Sequence, residues 1–226
     1  MKKIEDICIL VQARLGSTRV PQKMIRPFAN SNLVEILFEK LKKSSIIPIE
    51  NIRFSAWDEE LKQIATEHNI CIHHRTELSA KSEGIRLQEL FDWHDKLPYK
   101  YVIMISACNP LLEVETIDAF VKHFLSSGHE NCFAVFEKKT YYWDNNGSSL
   151  TDWKGITSMN TKFVDSVYEA AHCLYASRLD IIGEGFWMNT KTPPDLNLFV
   201  MPELQAFDID HEWQFEVAEE LYKKIK

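Results

Sequence analysis

Apolar and polar positions alternate along the first 136 residues with two different periods. Short, almost continuously apolar runs are typical of strands buried on both faces of a parallel sheet. They predict strands at 7–11, 52–57, 70–74, 101–106 and 132–136. Helical spacing between them predicts helices at about 32–43, from residue 59, at about 84–95 and at about 113–126. This alternation predicts an α/β fold with a mostly parallel, doubly wound sheet and helices on both faces.

Residues 138–170 interrupt the alternation. Asn146-Gly147 lies between two β-prone runs, which predicts a hairpin that projects from the main sheet. The segment could cover a site, pack on its own domain or contact a partner subunit, and aromatic residues favour the last of these. The aromatic residues are Tyr141, Tyr142, Trp143 and Trp153.

The chain ends in a predicted strand at 204–209 and a predicted helix at 211–225. At helical spacing, one face of that helix carries four apolar residues. They are Trp213, Val217, Leu221 and Ile225.

Length and charge narrow the possible functions. The chain has 226 residues, 45% of them hydrophobic, and no internal repeat, which predicts one domain over 1–226. The net charge of −7 argues against nucleic-acid binding, which depends on a basic surface. The charge is uneven, because residues 1–43 carry nine Lys/Arg against four Asp/Glu and residues 203–226 carry three against seven.

Cysteine usage and hydropathy predict the cellular location. Five cysteines without a C-x-x-C spacing indicate reduced thiols and a cytoplasmic protein. The run at 7–11 follows two acidic residues, which indicates a strand and not a signal peptide. No apolar run approaches about 18 residues, so we expect no membrane span.

The loop after the first predicted strand carries the clearest chemical signal. Ligands of open α/β sheets bind beyond the carboxyl ends of the strands. There Gly16 and Ser17 would let the backbone approach a phosphate, and Arg14, Arg19 and Lys23 would supply charge. The loop matches neither G-x-G-x-x-G nor G-x-x-x-x-G-K-[ST], which argues against a dinucleotide site and a P-loop. A solvated basic surface loop is the alternative.

Two carboxylates, Asp208 and Asp210, stand at i and i+2 at the end of the last predicted strand and would share one of its faces. Like charges this close are unfavourable unless a cation lies between them. Mg²⁺ is the usual cation, because it favours one or two carboxylates together with substrate phosphates. The alternative is a solvated strand end with Asp210 as a helix cap, which leaves Asp208 unexplained.

Both charged segments resemble one known family. The stretch Ala13-Arg-Leu-Gly-Ser-Thr-Arg-Val-Pro-Gln-Lys23 is similar to the N-terminal signature of the sugar-acid cytidylyltransferases. These include the CMP-acylneuraminate and CMP-3-deoxy-octulosonate synthetases and the spore-coat polysaccharide cytidylyltransferases. The stretch Phe207-Asp-Ile-Asp-His-Glu-Trp-Gln-Phe-Glu-Val-Ala-Glu219 resembles the family's closing D-I-D-x-x-x-D-F-x-x-A-E. Two motifs in the right order are much more specific than either one.

The resemblance implies a glycosyltransferase-A-like fold and a Mg²⁺-dependent transfer of CMP from CTP to an acidic sugar, with release of pyrophosphate. The acceptor would be a nonulosonic or related 2-keto-3-deoxy sugar acid. It also implies a homodimer built through about 138–170. By position, CTP would be held by Arg14, Ser17, Lys23 and Arg75, with Arg14 and Lys23 also catalytic, and Mg²⁺ by Asp208 and Asp210.

The chain departs from the family pattern at several positions. Gln22 replaces the usual Gly before the Lys, and Ser106-Ala-Cys-Asn-Pro110-Leu stands where Q-x-x-x-P-L is usual. Cys108 stands where the 3-deoxy-octulosonate branch has an Asp that supports a metal, which disfavours that branch. Two alternatives stay open. One is a nucleotidyltransferase acting on a phosphonate, polyol phosphate or sugar phosphate, and the other is a catalytically silent nucleotide-binding protein.

Overall fold

A computed structural model gives the fold and describes residues 2–81, 84–153, 155, 158–183 and 197–225. Its centre is a seven-stranded sheet in the order β3-β2-β1-β4-β6-β5-β7. The strands are β1 (Ile7–Gln12), β2 (Ile52–Ala56), β3 (Cys71–His74), β4 (Tyr101–Ile105), β5 (Asn131–Lys138), β6 (Val167–Arg178) and β7 (Leu198–Val200). Only β6 runs antiparallel to its neighbours. The predicted mostly parallel sheet is confirmed, and all five strands predicted in the first 136 residues are present.

Helices cover both faces of this sheet, as predicted. They are α1 (Leu33–Lys43), α2 (Glu59–Glu67), α3 (Leu87–Leu90), α4 (Val114–Ser126), α5 (Leu179–Gly183) and α6 (Glu212–Ile225). Alternate residues of β1 enter different cores: Ile9 packs with α1, α2 and α4, and Leu10 packs with α5 and Trp93. Because β1 is buried on both faces, its sequence is continuously apolar.

The helix predicted at 84–95 is wrong beyond Leu90. Helix α3 covers only Leu87–Leu90, and turns follow it. The cause is tertiary, since Trp93 turns into the core and donates from Nε1 to Gln12 Oε1 at 2.6 Å. Asp92 accepts the backbone N–H of Thr76 at 2.8 Å. These contacts cannot be made from one continuous helical face.

The strand predicted at 204–209 is also wrong. A 3-10 helix covers Glu203–Ala206, and 207–210 continues as a loop outside the sheet. Pro202 precedes the 3-10 helix and has no N–H to donate to a ladder. The loop is held by Asn109 Nδ2, which donates to the Ala206 carbonyl at 3.1 Å, and by the Ile209 N–H, which donates to the Cys108 carbonyl at 3.1 Å.

The apolar face predicted for the last helix is not the buried one. Helix α6 packs through Phe215 and Ala218 against Phe28 and Val20. Trp213, by contrast, is 57% exposed. Val217 and Ile225 are exposed as well.

The turn predicted at Asn146-Gly147 is present. Gly147 has φ +82°, Trp143 and Ser149 form an antiparallel bridge, and the Asp144 N–H donates to the Ser148 carbonyl at 2.8 Å. All five cysteines are free. No helix among the described residues has the length and apolar character that a membrane crossing requires.

Candidate functional site

A cavity of about 730 Å³ opens at the carboxyl ends of β1 and β4. The chain moves outward from β1 to β2 and β3 in one direction, and β4 lies on the other side of β1, so this is the switch point of the sheet. One wall is the basic loop, residues 13–23, which follows β1. The rest of the described lining includes the end of β4 and residues of β6. Ligands of doubly wound sheets bind at such a crevice.

The basic loop is held in shape by side chains that accept hydrogen bonds from its backbone N–H groups. The Leu15 N–H donates to Asp58 Oδ2 at 3.0 Å, and the Ser17 hydroxyl accepts the Val20 N–H at 3.3 Å. Gln22 has φ +52°, in the left-handed region that glycine adopts most easily. A glycine would therefore suit this backbone, and Gln22 holds the same conformation at a cost.

Arg14 and Arg75 tie the basic loop to residues 79–81. The Arg14 guanidinium donates to the carbonyls of Ala80 and Lys81. Arg75 is buried and donates to Ser79 Oγ at 2.7 Å and to the Ala13 carbonyl at 3.3 Å. Burial, followed by the charge of Arg14, lowers the pKa of Arg75 to about 10. Both arginines line the cavity, and much of their hydrogen-bonding capacity is already used by backbone carbonyls.

Lys23 and Arg19 of the basic loop contact the acidic loop of residues 207–210. Lys23 is 7% exposed, its Nζ donates to the Ile209 carbonyl, and it lies 3.9 Å from Asp210 Oδ1. Arg19 Nη2 donates to the same carboxylate oxygen at 2.7 Å. The cationic and anionic segments of the sequence, some 190 residues apart, therefore meet at one edge of the cavity.

Asp208 is half-buried beside Asp210. Its Oδ1 is buried and has no hydrogen-bond partner among the described residues. Burial, and next the charge of Asp210, raise the pKa of Asp208, whereas Lys23 and His172 act in the opposite direction. An unpartnered buried carboxylate oxygen next to a second carboxylate fits a hard cation.

The donor set suits Mg²⁺ held jointly by protein and substrate. No cluster of three or more His, Cys, Asp or Glu side chains able to hold a metal occurs among the described residues. The protein would therefore supply Asp208 and Asp210, and phosphate oxygens and water would complete the shell, as is usual for Mg²⁺.

Cys108 lines the cavity next to Lys23. Burial raises the pKa of the Cys108 thiol, so the thiol stays protonated at neutral pH. Its backbone N–H donates to Ser106 Oγ at 3.1 Å. This arrangement gives no sign of an activated thiolate.

The sequence reasoning missed the residues that β6 brings to the cavity. His172 and Tyr175 line the cavity from β6, and Met104 lines it from β4. No strand was predicted at β6, so no signal placed His172 near the carboxyl end of β4. Of the six residues predicted for the site, the structure brings Arg14, Ser17, Lys23, Arg75 and Asp210 onto the cavity wall, and Asp208 adjoins Asp210.

The chain is similar in sequence to curated proteins. The chain is 26% identical over 134 residues to the spore coat polysaccharide biosynthesis protein SpsF of Bacillus subtilis, covering 58% of this chain and 55% of SpsF, little more than half the length of that relative. It is 24% identical over 236 aligned positions to pseudaminic acid cytidylyltransferase of Campylobacter jejuni, covering 97% of both.

The fold resembles that of solved cytidylyltransferases. CMP:2-keto-3-deoxy-manno-octonic acid synthetase complexed with CTP superposes with a TM-score of 0.69 at 11% identity, covering 97% of this chain and 99% of the other. The sequence profile of the family described as Cytidylyltransferase matches residues 8–181, which is more than half of the chain. The chain therefore belongs to the cytidylyltransferase family.

Proposed function

We propose that this protein transfers CMP from CTP to an acidic sugar and releases pyrophosphate. The proposal rests on one observation. At the switch point of the sheet, Lys23 and Arg19 form ion pairs with Asp210, which lies beside Asp208. Nucleotidyl transfer needs cations for a triphosphate and carboxylates for a divalent metal, and the two charged segments supply both.

In this proposal the basic loop binds the triphosphate. Arg14, Ser17 and Lys23 contact phosphate oxygens, and Arg75 holds the loop that borders the nucleotide. The acceptor hydroxyl attacks the α-phosphorus in line and gives up its proton to water. The bond between the α-phosphorus and the oxygen that bridges to the β-phosphorus breaks, and pyrophosphate leaves with that oxygen. Lys23 and Arg14 stabilise the charge that develops on the transferred and leaving groups. Bound Mg²⁺, held by Asp208 and Asp210, would supply further charge neutralisation.

One observation supports an acidic sugar as the acceptor, and a second bears on which acid it is. Pseudaminic acid cytidylyltransferase aligns over nearly the whole chain, and its name states its acceptor. Cys108 lines the cavity. By the family resemblance it stands where the 3-deoxy-octulosonate branch has a metal-supporting Asp, which favours a nonulosonic acid.

We also propose a cytoplasmic homodimer. Among the described residues between 142 and 168, several large apolar side chains are exposed, Phe163 to 65%, and exposed apolar patches mark interaction sites. The exposed set includes Trp143, Leu150, Met159, Phe163 and Tyr168. The five free cysteines support a reducing compartment.

The test measures pyrophosphate release with Mg²⁺, each of CTP, ATP, GTP and UTP, and a panel of acceptors. The panel contains pseudaminic acid, N-acetylneuraminic acid, a 2-keto-3-deoxy-octulosonic acid, a sugar phosphate and a phosphonate. We expect release with CTP and a nonulosonic acid, and a thermal shift with CTP and Mg²⁺. Absence of that shift together with no release from any sugar acid would refute the proposal.

A paired variant tests the metal residue. Asp208→Asn keeps the shape of the side chain and removes its charge, so we expect loss of Mg²⁺-dependent turnover with no loss of thermal stability in EDTA. Asp95→Asn changes an exposed carboxylate outside the cavity and should keep wild-type turnover. Wild-type turnover in Asp208→Asn would reject the metal assignment.

A further inference from the structure

Strand β6 contains a bulge that faces the cavity. On β5, Phe133 pairs with Tyr175 and Val135 pairs with Ala170, so two steps along β5 correspond to five along β6. The extra residues include His172, which is exposed and lines the cavity. Bulges beside active sites commonly redirect a side chain.

The bulge adjoins the carboxyl end of β4. The Ser106 N–H donates to the Cys173 carbonyl at 2.9 Å, directly after β4 ends. His172 is also near enough to Asp208 to affect the pKa of that carboxyl, after the larger effects of burial, Asp210 and Lys23. His172 is therefore close to the proposed metal site, and it reaches the cavity from β6 and not from the basic loop.

The backbone of His172 is strained. Its φ is +51°, which a residue with a Cβ adopts at a cost and glycine adopts freely. The Nδ1···Tyr175 OH contact is the only hydrogen bond of its ring within the described residues. Strain kept at a cavity wall indicates that the side chain has a use there.

Tyr175 contacts one nitrogen of the His172 ring. The Tyr175 hydroxyl lies 2.9 Å from His172 Nδ1, and the tautomer of the ring decides which of the two groups donates. In the tautomer that would bind an acidic group, the hydroxyl donates to Nδ1 and the ring carries its proton on Nε2, which makes Nε2 a hydrogen-bond donor.

The two parts of the cavity lining differ in charge. The Lys and Arg residues of the cavity come from the basic loop and from residue 75, where the triphosphate binds in the proposed function. The described lining from β4, its following loop and β6 contains neither Lys nor Arg. Its residues are Met104, Ile105, Ser106, Cys108, His172 and Tyr175. An acidic group of the acceptor placed against β6 would meet the imidazole of His172, the side-chain nitrogen group that the described residues of this strand bring to the cavity.

We propose that His172 is a specificity-determining residue whose Nε2–H donates a hydrogen bond to the acidic group of the acceptor, with Tyr175 as its positioning residue. This inference rests on the proposed function and adds to it the residue that selects an acid over a neutral sugar.

His172→Gly tests the inference because it removes the imidazole and relieves the backbone strain together. With CTP, Mg²⁺ and the best sugar acid of the panel, we expect the KM for the acid to rise between about tenfold and a hundredfold, the loss for one hydrogen bond to a charged group. The Tm should equal or exceed that of the wild type, and the KM for CTP should not change. If His172 had only a structural role, the Tm would fall and the KM for the acid would not change, which would overturn the inference.

The methyl ester of the same sugar acid is the second probe. The wild type should prefer the acid to the ester, and His172→Gly should lose most of that preference. Tyr175→Phe should raise the KM for the acid in the same direction by a smaller factor. Equal discrimination by the wild type and His172→Gly would overturn the inference and leave the proposed function standing. No release by the wild type with any sugar acid would reject both.

Discussion

At the scale of single residues, Gln22 stores strain in the loop that contacts the proposed triphosphate. Its φ of +52° is costly for glutamine and free for glycine. We expect Gln22→Gly to raise the free energy of unfolding by about 0.5–1 kcal/mol, after the greater unfolded-state entropy of glycine is subtracted. Urea unfolding measures this change.

Gln63 offers the matched control for that substitution. It lies inside α2, where glycine is unfavourable, so Gln63→Gly should lower the free energy of unfolding by about 1 kcal/mol. A loss of similar size in Gln22→Gly would show that its left-handed conformation carries no strain.

Two buried lysines allow the effect of a lost charge on turnover to be measured apart from its effect on stability. Lys23 and Lys40 are each below 10% exposed, and each donates from Nζ to a backbone carbonyl, that of Ile209 or Pro110. Lys23→Met and Lys40→Met should each lower the free energy of unfolding by about 1–3 kcal/mol, because a carbonyl loses its donor. Only Lys23→Met should lower kcat/KM, by about 100-fold or more, because Lys23 alone lines the cavity.

Steady-state kinetics and urea unfolding on the same preparations measure both effects. Equal kinetic losses in Lys23→Met and Lys40→Met would indicate that the loss comes from folding and that Lys23 has no direct part in turnover.

At the scale of elements, the turn after α3 anchors residues 75–81. Asp92 accepts the Thr76 N–H and lies 3.4 Å from His73 Nε2, and it thereby holds the segment that contains Arg75. Asp92→Ala should lower the free energy of unfolding by about 1–3 kcal/mol and raise the KM for CTP several-fold.

Asp118 gives the comparison for this element. Its carboxylate accepts from Ser44 and Ser45, and it does not line the cavity. Asp118→Ala should destabilise the fold to a similar degree and leave the KM for CTP unchanged. A raised KM in both variants would mean that general loosening, and not the 75–81 segment, controls nucleotide binding.

Sequence predicts correctly the strands and helices whose residues meet the same surroundings along the whole element. Strand β1 is buried on both faces, so its apolar run identifies it. Strand β6 escapes prediction because a bulge breaks its alternation at His172, and a histidine gives no sign of a positive φ. At the site, the charges of the basic loop and of Asp208–Asp210 indicate their chemistry. Asp58 accepts the Leu15 N–H, and the Ile209 carbonyl accepts from Lys23. Tertiary structure brings these partners to the basic loop, and no local sequence pattern encodes it.

At the scale of the whole molecule, the exposed apolar surface of residues 142–168 bears on assembly. Phe163 is 65% exposed, and in the proposed homodimer it is covered by the second subunit. We expect Phe163→Glu to shift the protein from dimer to monomer in sedimentation velocity, because a charge in an apolar interface is unfavourable.

Leu204→Glu is the control, since Leu204 is 50% exposed outside this surface and should leave the dimer intact. A wild type that sediments as a monomer at all accessible concentrations would contradict the proposed dimer.

The ion pair between Arg19 and Asp210 has a consequence for how ligands arrive. In the protein without substrate, the Arg19 guanidinium and the Asp210 carboxylate pair with each other at 2.7 Å. In the proposed function, the first would be free to contact the triphosphate and the second to hold the metal only after this pair separates. In the proposed function, a metal ion alone would have to compete with Arg19 for the carboxylate, and a triphosphate alone would have to compete with Asp210 for the guanidinium. Each ligand would then lower the cost of binding the other, and linkage would raise the two affinities by the same factor. Because both side chains are partly exposed, this ion pair would contribute about 0–1 kcal/mol to the coupling, so the proposed site would favour nucleotide and metal together by a modest factor.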